Sequence, residues 1–193
     1  MSIARLRNAV SALTRLVERQ GNREDAVLEP AREILSSLIA YDDWLPEPFA
    51  AHDPKHYRQY LLHCDPLERF SLVSFVWGPG QRTPVHDHLI WGLVGMLRGE
   101  EEAVAYTPRT DRMGLEAGPA RRLRPGMVDA VSPMLGDIHT VANALADRPS
   151  ISIHLYGGNI GTMRRHGFDP ATGTARPFVS GYSADMVPNL WAA

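Results

Sequence analysis

Cysteine is nearly absent: Cys64 stands alone among 193 residues. A single thiol cannot form an intrachain disulfide, and LLHCDP around it offers no second ligand at metal-binding spacing, so Cys64 is read as a spectator. Net charge is equally sparse. At -2, with aromatic residues at 8%, the chain lacks both a basic surface to neutralise phosphates and stacking platforms to hold bases. Nucleic acid is therefore not expected as a partner. No apolar run approaches the roughly 20 residues that span a bilayer, and MSIARLRNAV lacks the continuous apolar core of a signal peptide. A cytoplasmic protein with no membrane partner is expected. Internal repeats and low-complexity tracts are missing too. Apolar residues are spread evenly, so residues 1–193 are expected to form a single domain with a sizeable core.

What is present falls into two textures. Leu6, Val10, Leu13 and Val17 recur at intervals of three and four, with arginines and Glu18 between them, which is the pattern of an amphipathic helix. The spacing predicts a second helix from about Ala26 to Ile39, with Pro30 near its start, and a third, shorter one over YRQYLL at 57–62. From Phe70 onward come short, often alternating runs rich in β-formers: FSLVSFVW, VHDHLIWGLVGML, EEAVAY, ARRL, GMVDAVS, IHTVAN and SISIHLY. Punctuated by Gly, Pro and Asp, they predict a mainly β sandwich or small barrel. The expected organisation is a mostly helical segment over 1–65, a barrel core over 66–160 and a loop-rich C-terminal wrap over 161–193.

The stretch PVHDHLIWG at 84–92 places His86 and His88 two apart, so on a strand both point inward while Asp87 faces out. Such a pair grips a metal ion from one side. A third imidazole can come from His139 in GDIHTVAN or His154 in SISIHLY, and spacing alone does not choose between them.

Gly80, five residues, His86, one residue, His88, with Gly99 following at a turn, resemble the first motif of the cupin superfamily. PMLGDIHTVAN resembles the second, with Gly136, His139 and Asn143 in step and one extra residue between Pro133 and Gly136. The resemblance implies a jelly-roll, double-stranded β-helix barrel with His139 as third ligand. Where many cupins carry a glutamate ligand, four residues after His88, this chain has Gly92. Trp77 and Gly78 before the first motif, and Ser152, His154 and Tyr156 alternating late in the barrel, narrow the resemblance to the thiol dioxygenases. These comprise the cysteine and 3-mercaptopropionate dioxygenases, and the likeness runs from about Tyr57 to Arg176.

That resemblance implies Fe(II), a small thiol substrate, O2 and a sulfinate product. Imidazole suits iron, zinc, copper and nickel alike, so iron is implied by the family and not by the ligands. Three neutral ligands leave a divalent ion its full charge, which favours capture of a thiol as thiolate. Ser152, His154 and Tyr156 are implied to form a hydrogen-bonded relay ending at the tyrosine hydroxyl near the metal. Animal cysteine dioxygenases carry an arginine for the substrate carboxylate in a Y-x-R pattern. Here the position is Gln59, as in the bacterial glutamine type, which resembles 3-mercaptopropionate dioxygenases. The carboxylate partner is then expected at Arg165, with Arg164 the alternative. The cysteine that crosslinks to the tyrosine in animal enzymes is matched to Leu93, so Tyr156 is expected unmodified.

Two other readings compete. One is a cupin acting on a ring or sugar, against which the missing glutamate ligand argues. The other is a non-catalytic metal-binding cupin or ligand sensor, which needs no relay. His52, His56, His63 and His166 lie in polar surroundings and are read as exposed, RRLR at 121–124 as a solvated strand edge, and the glycines of YGGNIG as turn-formers.

Overall fold

The computed structural model describes residues 3–21 and 23–192. Two helices, α1 (Ala4–Gln20) and α2 (Glu24–Ile39), and a 3-10 turn (Glu47–Phe49) precede the strands. These are β1 (Arg58–Cys64), β2 (Ser71–Trp77), β3 (Val85–His86), β4 (Gly92–Arg98), β5 (Glu101–Pro108), β6 (Leu115–Leu123), β7 (Val128–Val131), β8 (His139–Asn143), β9 (Ser150–Tyr156), β10 (Arg165–Phe168) and β11 (Ala175–Phe178). They form two antiparallel sheets, ordered β1-β2-β9-β4-β7 and β11-β10-β3-β8-β5-β6. The architecture is a mainly β, double-stranded β-helix barrel with helices on one outer face. No helix among the described residues is long and apolar enough to cross a membrane.

The helices cover the first sheet because their apolar stripes need a partner. Leu6, Val10, Leu13 and Val17 are all buried, packed in one cluster with Leu35 and Ile39 of α2 and with Ile151, Ile153 and Leu155 of β9. Truncating a core leucine of this kind to alanine costs about 2–5 kcal/mol. Gly95 of β4 admits α2: a Cβ there would stand 3.0 Å from Ile39 Cδ1 and 3.1 Å from Leu35 Cγ. β9 lies in the middle of this sheet, and all seven of its residues are buried. Its odd partners Ile151, Ile153 and Leu155 meet the helices, so Ser152, His154 and Tyr156 face the barrel interior.

Two expectations are corrected. YRQYLL is not a helix; from Arg58 onward it belongs to β1, which pairs with β2 and carries a bulge between Leu61 and His63. Its apolar residues fall on both faces, Tyr60 against the helical cluster and Leu61 against the interior one, a spread that mimics a helical period in six residues. Within the segment after 160, β10 and β11 extend the second sheet beside β3. HDH is not one continuous strand. β3 ends at His86, Leu89 takes a left-handed φ of 63°, and Asp87 is buried, not outward-facing.

Candidate metal centre and cavity

His86 and His139 are direct cross-strand partners in the β3–β8 pair, and His88 arrives from the turn beyond β3. The three rings stand 4.8, 4.9 and 4.9 Å apart between centroids, and one nitrogen from each lies within 4.8 Å of the other two. All three side chains are buried. The turn that brings His88 in is held by Asp137. Its carboxylate accepts the backbone N–H of His88 at 3.0 and 3.1 Å and that of Leu89 at 2.8 Å. It also accepts from the His88 ring, whose Nδ1 lies 3.0 Å from Oδ1. His86 Nδ1 lies 3.0 Å from the Pro84 carbonyl, which can only accept. Both rings therefore donate from Nδ1 and keep the Nε2 lone pair, the arrangement by which outer partners orient metal ligands.

Burial, helped by the neighbouring imidazoles, holds His86 and His139 well below the ordinary imidazole range, and burial does the same to His154. Neutral rings are the form a metal binds. For Asp137, burial raises the pKa, but the bonds from the His88 ring and the Leu89 and His88 amides outweigh it and the carboxyl titrates below its usual value. These donors fit one divalent transition-metal ion, with three neutral nitrogens, no carboxylate among them and two rings locked by outer partners.

Gly92 has a structural reason to be glycine. It sits opposite Tyr156 in the β4–β9 pair, and a Cβ there would come within 2.9 Å of Tyr156 Cδ1 and 3.2 Å of Val131 Cγ2. The space beside Gly92 is taken by the Tyr156 ring, which stacks near His88 with centroids 5.5 Å apart. Leu93 points the other way, into the helical cluster, so Gly92 and not Leu93 is the residue against the tyrosine.

Along β9 the polar side chains form a continuous chain. Ser152 Oγ lies 2.8 Å from His154 Nε2, and His154 Nδ1 lies 2.8 Å from the Tyr156 hydroxyl. Trp77 Nε1–H donates to Ser152 Oγ at 3.3 Å, and Phe75 packs on the His154 ring at 4.1 Å. Burial raises the Tyr156 phenol above its usual value, with Arg165 opposing.

His86, His139, His154 and Tyr156 open on a cavity of about 550 Å³ whose walls include Gln59 and Arg165. Arg165 is 4% exposed. Its Nη2 donates to Ser180 Oγ at 3.0 Å, its guanidinium lies 4.6 Å over the Phe178 ring, and its Nε is buried without a hydrogen-bond partner. Burial lowers its pKa, a sign of a cation short of counter-charge. Arg164 is exposed. Gln59 is buried and gives its amide to Ser180 Oγ at 3.0 Å and to the Gly181 carbonyl.

The other histidines stay apart from this centre. His52 and His56 are exposed, and His63 is half-buried against Phe70. His166, half-buried, engages Asp87 through Nδ1 at 2.9 Å and its amide at 2.6 Å, tying β10 to β3. Arg121 and Arg122 are exposed on the edge strand β6. Asp137 and Ser180 were not marked by any sequence spacing. Asp137 acts on a histidine 49 positions away and Ser180 on a glutamine 121 positions away.

Residues 10–169 match the family described as Cysteine dioxygenase type I. Cysteine dioxygenase type 1 of Danio rerio is 27% identical over 134 residues, which cover 68% of this chain and 64% of that protein. The Homo sapiens protein of the same name is 29% identical over 107 residues, covering 54% of this chain and 52% of the other. The chain thus spans less than two thirds of the length of these relatives. Among solved structures, a conserved protein with a double-stranded β-helix domain from Klebsiella pneumoniae is 14% identical, with a TM-score of 0.46 over 71% of this chain and 97% of that one.

Proposed function

The chain belongs to the cysteine dioxygenase type I family, and from that premise we propose that it is a thiol dioxygenase converting 3-mercaptopropionate and O2 to the sulfinate. The reaction balances without any external reductant: RSH and O2 give RSO2H, both oxygen atoms ending on sulfur. Fe(II) is the proposed metal, held by His86, His88 and His139. When bound, it supplies the positive charge that takes a thiol as thiolate and a place for O2 beside it.

The chain's own side chains do the rest. Arg165 receives the substrate carboxylate, since a buried guanidinium among the cavity-lining side chains, with no carboxylate in ion-pair contact among the described residues, is matched by an acid fork. Gln59 lies beside it and fixes Ser180, which in turn holds Arg165. Tyr156 presents a protonated hydroxyl to the reacting sulfur and oxygen atoms, positioned by His154 and Ser152. Phe75, Trp77 and Val141 line the cavity and keep it poor in water.

The observation that carries the choice of acid thiol is the buried Arg165, which has no carboxylate in ion-pair contact among the described residues. A second reading, cysteine as substrate, is favoured by the names of the relatives. Against it, the carboxylate among the cavity-lining residues, Asp169, is exposed and already accepts the Ala171 amide at 2.8 Å. A cysteine ammonium would therefore enter poorly paired. An unpaired buried charge costs several kcal/mol, and each ~1.4 kcal/mol is about tenfold in kcat/KM. Oxygen uptake and sulfinate yield of iron-loaded protein with 3-mercaptopropionate, cysteine and 2-mercaptoethanol test the proposal. The expected order puts 3-mercaptopropionate first; a preference for cysteine overturns the substrate, and no uptake with any thiol overturns the activity.

A further inference from the structure

Glu101 opens β5 in the second sheet and is fully buried, its side chain reaching across the barrel to β9. Ser150 Oγ–H donates to Oε1 at 3.2 Å, while Oε2 is buried with no hydrogen-bond partner. The Ser152 hydroxyl also lies beside the carboxyl. Ser150, Ser152, His154 and Tyr156 alternate along β9, so Glu101 stands at the inner end of the same polar seam that ends at the metal centre. Around it, Asp129 of β7 and His139 of β8 border the same small gap, and Asp129 is paired with Arg121. Among the described residues no cation approaches the carboxyl to offset its charge. Burial outweighs the two serine hydroxyls and pushes its pKa up to about 8, so the neutral acid, with a hydrogen to give, is the form present at neutral pH.

Hydrogen accounting then decides which way the relay runs. Ser152 Oγ has one hydrogen and two lone pairs, and the Trp77 indole, which can only donate, fills one lone pair. A neutral His154 donates from one ring nitrogen and accepts at the other. In one wiring Ser152 donates to His154 Nε2 and His154 Nδ1–H donates to the Tyr156 oxygen, which leaves the phenol hydrogen free for the cavity. In the other, Tyr156 gives its hydrogen to His154 Nδ1 and has none for the cavity.

We propose that Glu101 is a positioning residue of this relay: its carboxylic acid donates to the second lone pair of Ser152 Oγ, so Ser152 can only donate onward to His154 and the Tyr156 hydroxyl hydrogen is turned into the cavity. The role in turnover rests on the thiol dioxygenase reading. The wiring does not.

The wiring is read in metal-free protein by ¹⁵N NMR of the His154 ring, assigned by its loss in His154→Gln. The parent should hold the Nδ1–H tautomer, and Glu101→Leu should shift it toward Nε2–H. A parent in the Nε2–H form overturns the proposal whatever reaction the protein catalyses, and that measurement decides the matter even if Glu101→Leu does not fold. In iron-loaded enzyme, Glu101→Leu should keep iron content and KM while kcat and the ratio of sulfinate formed to O2 consumed fall several-fold. Glu101→Gln, whose amide also donates, should recover most of that loss. In a Ser152→Ala background, Glu101→Leu should add nothing. Glu101→Gln as impaired as Glu101→Leu, or a further loss in the Ser152→Ala background, overturns the proposal, while an absence of thiol oxidation in the parent touches only the activity.

Discussion

Gln59 and Arg165 meet on one oxygen: Gln59 Nε2 and Arg165 Nη2 each lie 3.0 Å from Ser180 Oγ. The glutamine does not add charge to the cavity. It fixes the serine that fixes the guanidinium, leaving the Arg165 Nε without a partner inside the protein.

Arg165→Ala should therefore act on substrates in proportion to their carboxylate. Losing one member of a buried charge pair costs about 2–5 kcal/mol, or ~30-fold and upward in kcat/KM. Steady-state kinetics should show that loss on 3-mercaptopropionate and cysteine and a much smaller one on 2-mercaptoethanol. Equal losses on all three thiols would remove the carboxylate role.

Metal affinity should depend on Asp137 as well as on the ligands. His139→Ala is expected to abolish stoichiometric iron binding. Asp137→Asn keeps the shape but weakens the acceptor for the His88 ring and turn, and partners of this kind are worth about 10–100-fold in affinity. Competition with a chelator of known affinity measures both; undiminished binding in Asp137→Asn contradicts the orienting role.

Tyr156→Phe should leave iron content near that of the parent, because the hydroxyl bonds to His154 and is not among the clustered ligands. Its loss should lower kcat by about 10²-fold, the lower end of what a positioned proton donor contributes, or uncouple O2 consumption from sulfinate. Unchanged rate and coupling would leave the hydroxyl a packing role only.

Gly92→Ala is the complementary test, made without touching a polar atom. The added methyl stands 2.9 Å from Tyr156 Cδ1, so the ring must move. Overpacking of this sort costs about 1–3 kcal/mol. Thermal melts should show the destabilisation and oxygen-uptake assays the lost coupling, with iron content retained.

Glu101 should contribute a loss of stability as pH rises from about 4.5 to 8, opposed below about 6.5 by His86, His139 and His154, which stay neutral in the folded state and take up protons in the unfolded one. Unfolded Glu101 ionises around its ordinary 4.5, whereas the folded protein keeps the proton until about 8. At this carboxyl the folded state thus binds more protons across that window, and its stability declines by up to ~1.4 kcal/mol per pH unit from this one group. Denaturant unfolding of parent and Glu101→Gln at several pH values isolates the effect, as the variant should lack that slope.

The features legible in the sequence are those whose signal is local. The stripe of Leu6, Leu13 and Val17 on α1, the alternation of Ser152, His154 and Tyr156 on β9, and the spacing of Gly136, His139 and Asn143 all report the backbone they sit on. What escaped is set by distant partners. YRQYLL became a strand because β2 was available to pair with it, and Asp87 turned inward because His166, 79 positions on, offers it two donors. Glu101 sits second in a run of three acids that reads as solvated surface, and only the barrel's closure reveals that it is enclosed.

β9 has a further consequence for how such a protein can change over time. Its seven residues carry core packing on one side and the polar seam on the other, with no exposed position between them. A slip or insertion of a single residue there sends His154 and Tyr156 among the leucines of the helices and three apolar side chains toward the metal centre. Length variation in this strand is therefore closed to drift, and evolutionary retuning of the relay must proceed by substitution in place or through the neighbours, such as Gly92 and Glu101, that meet it from other strands.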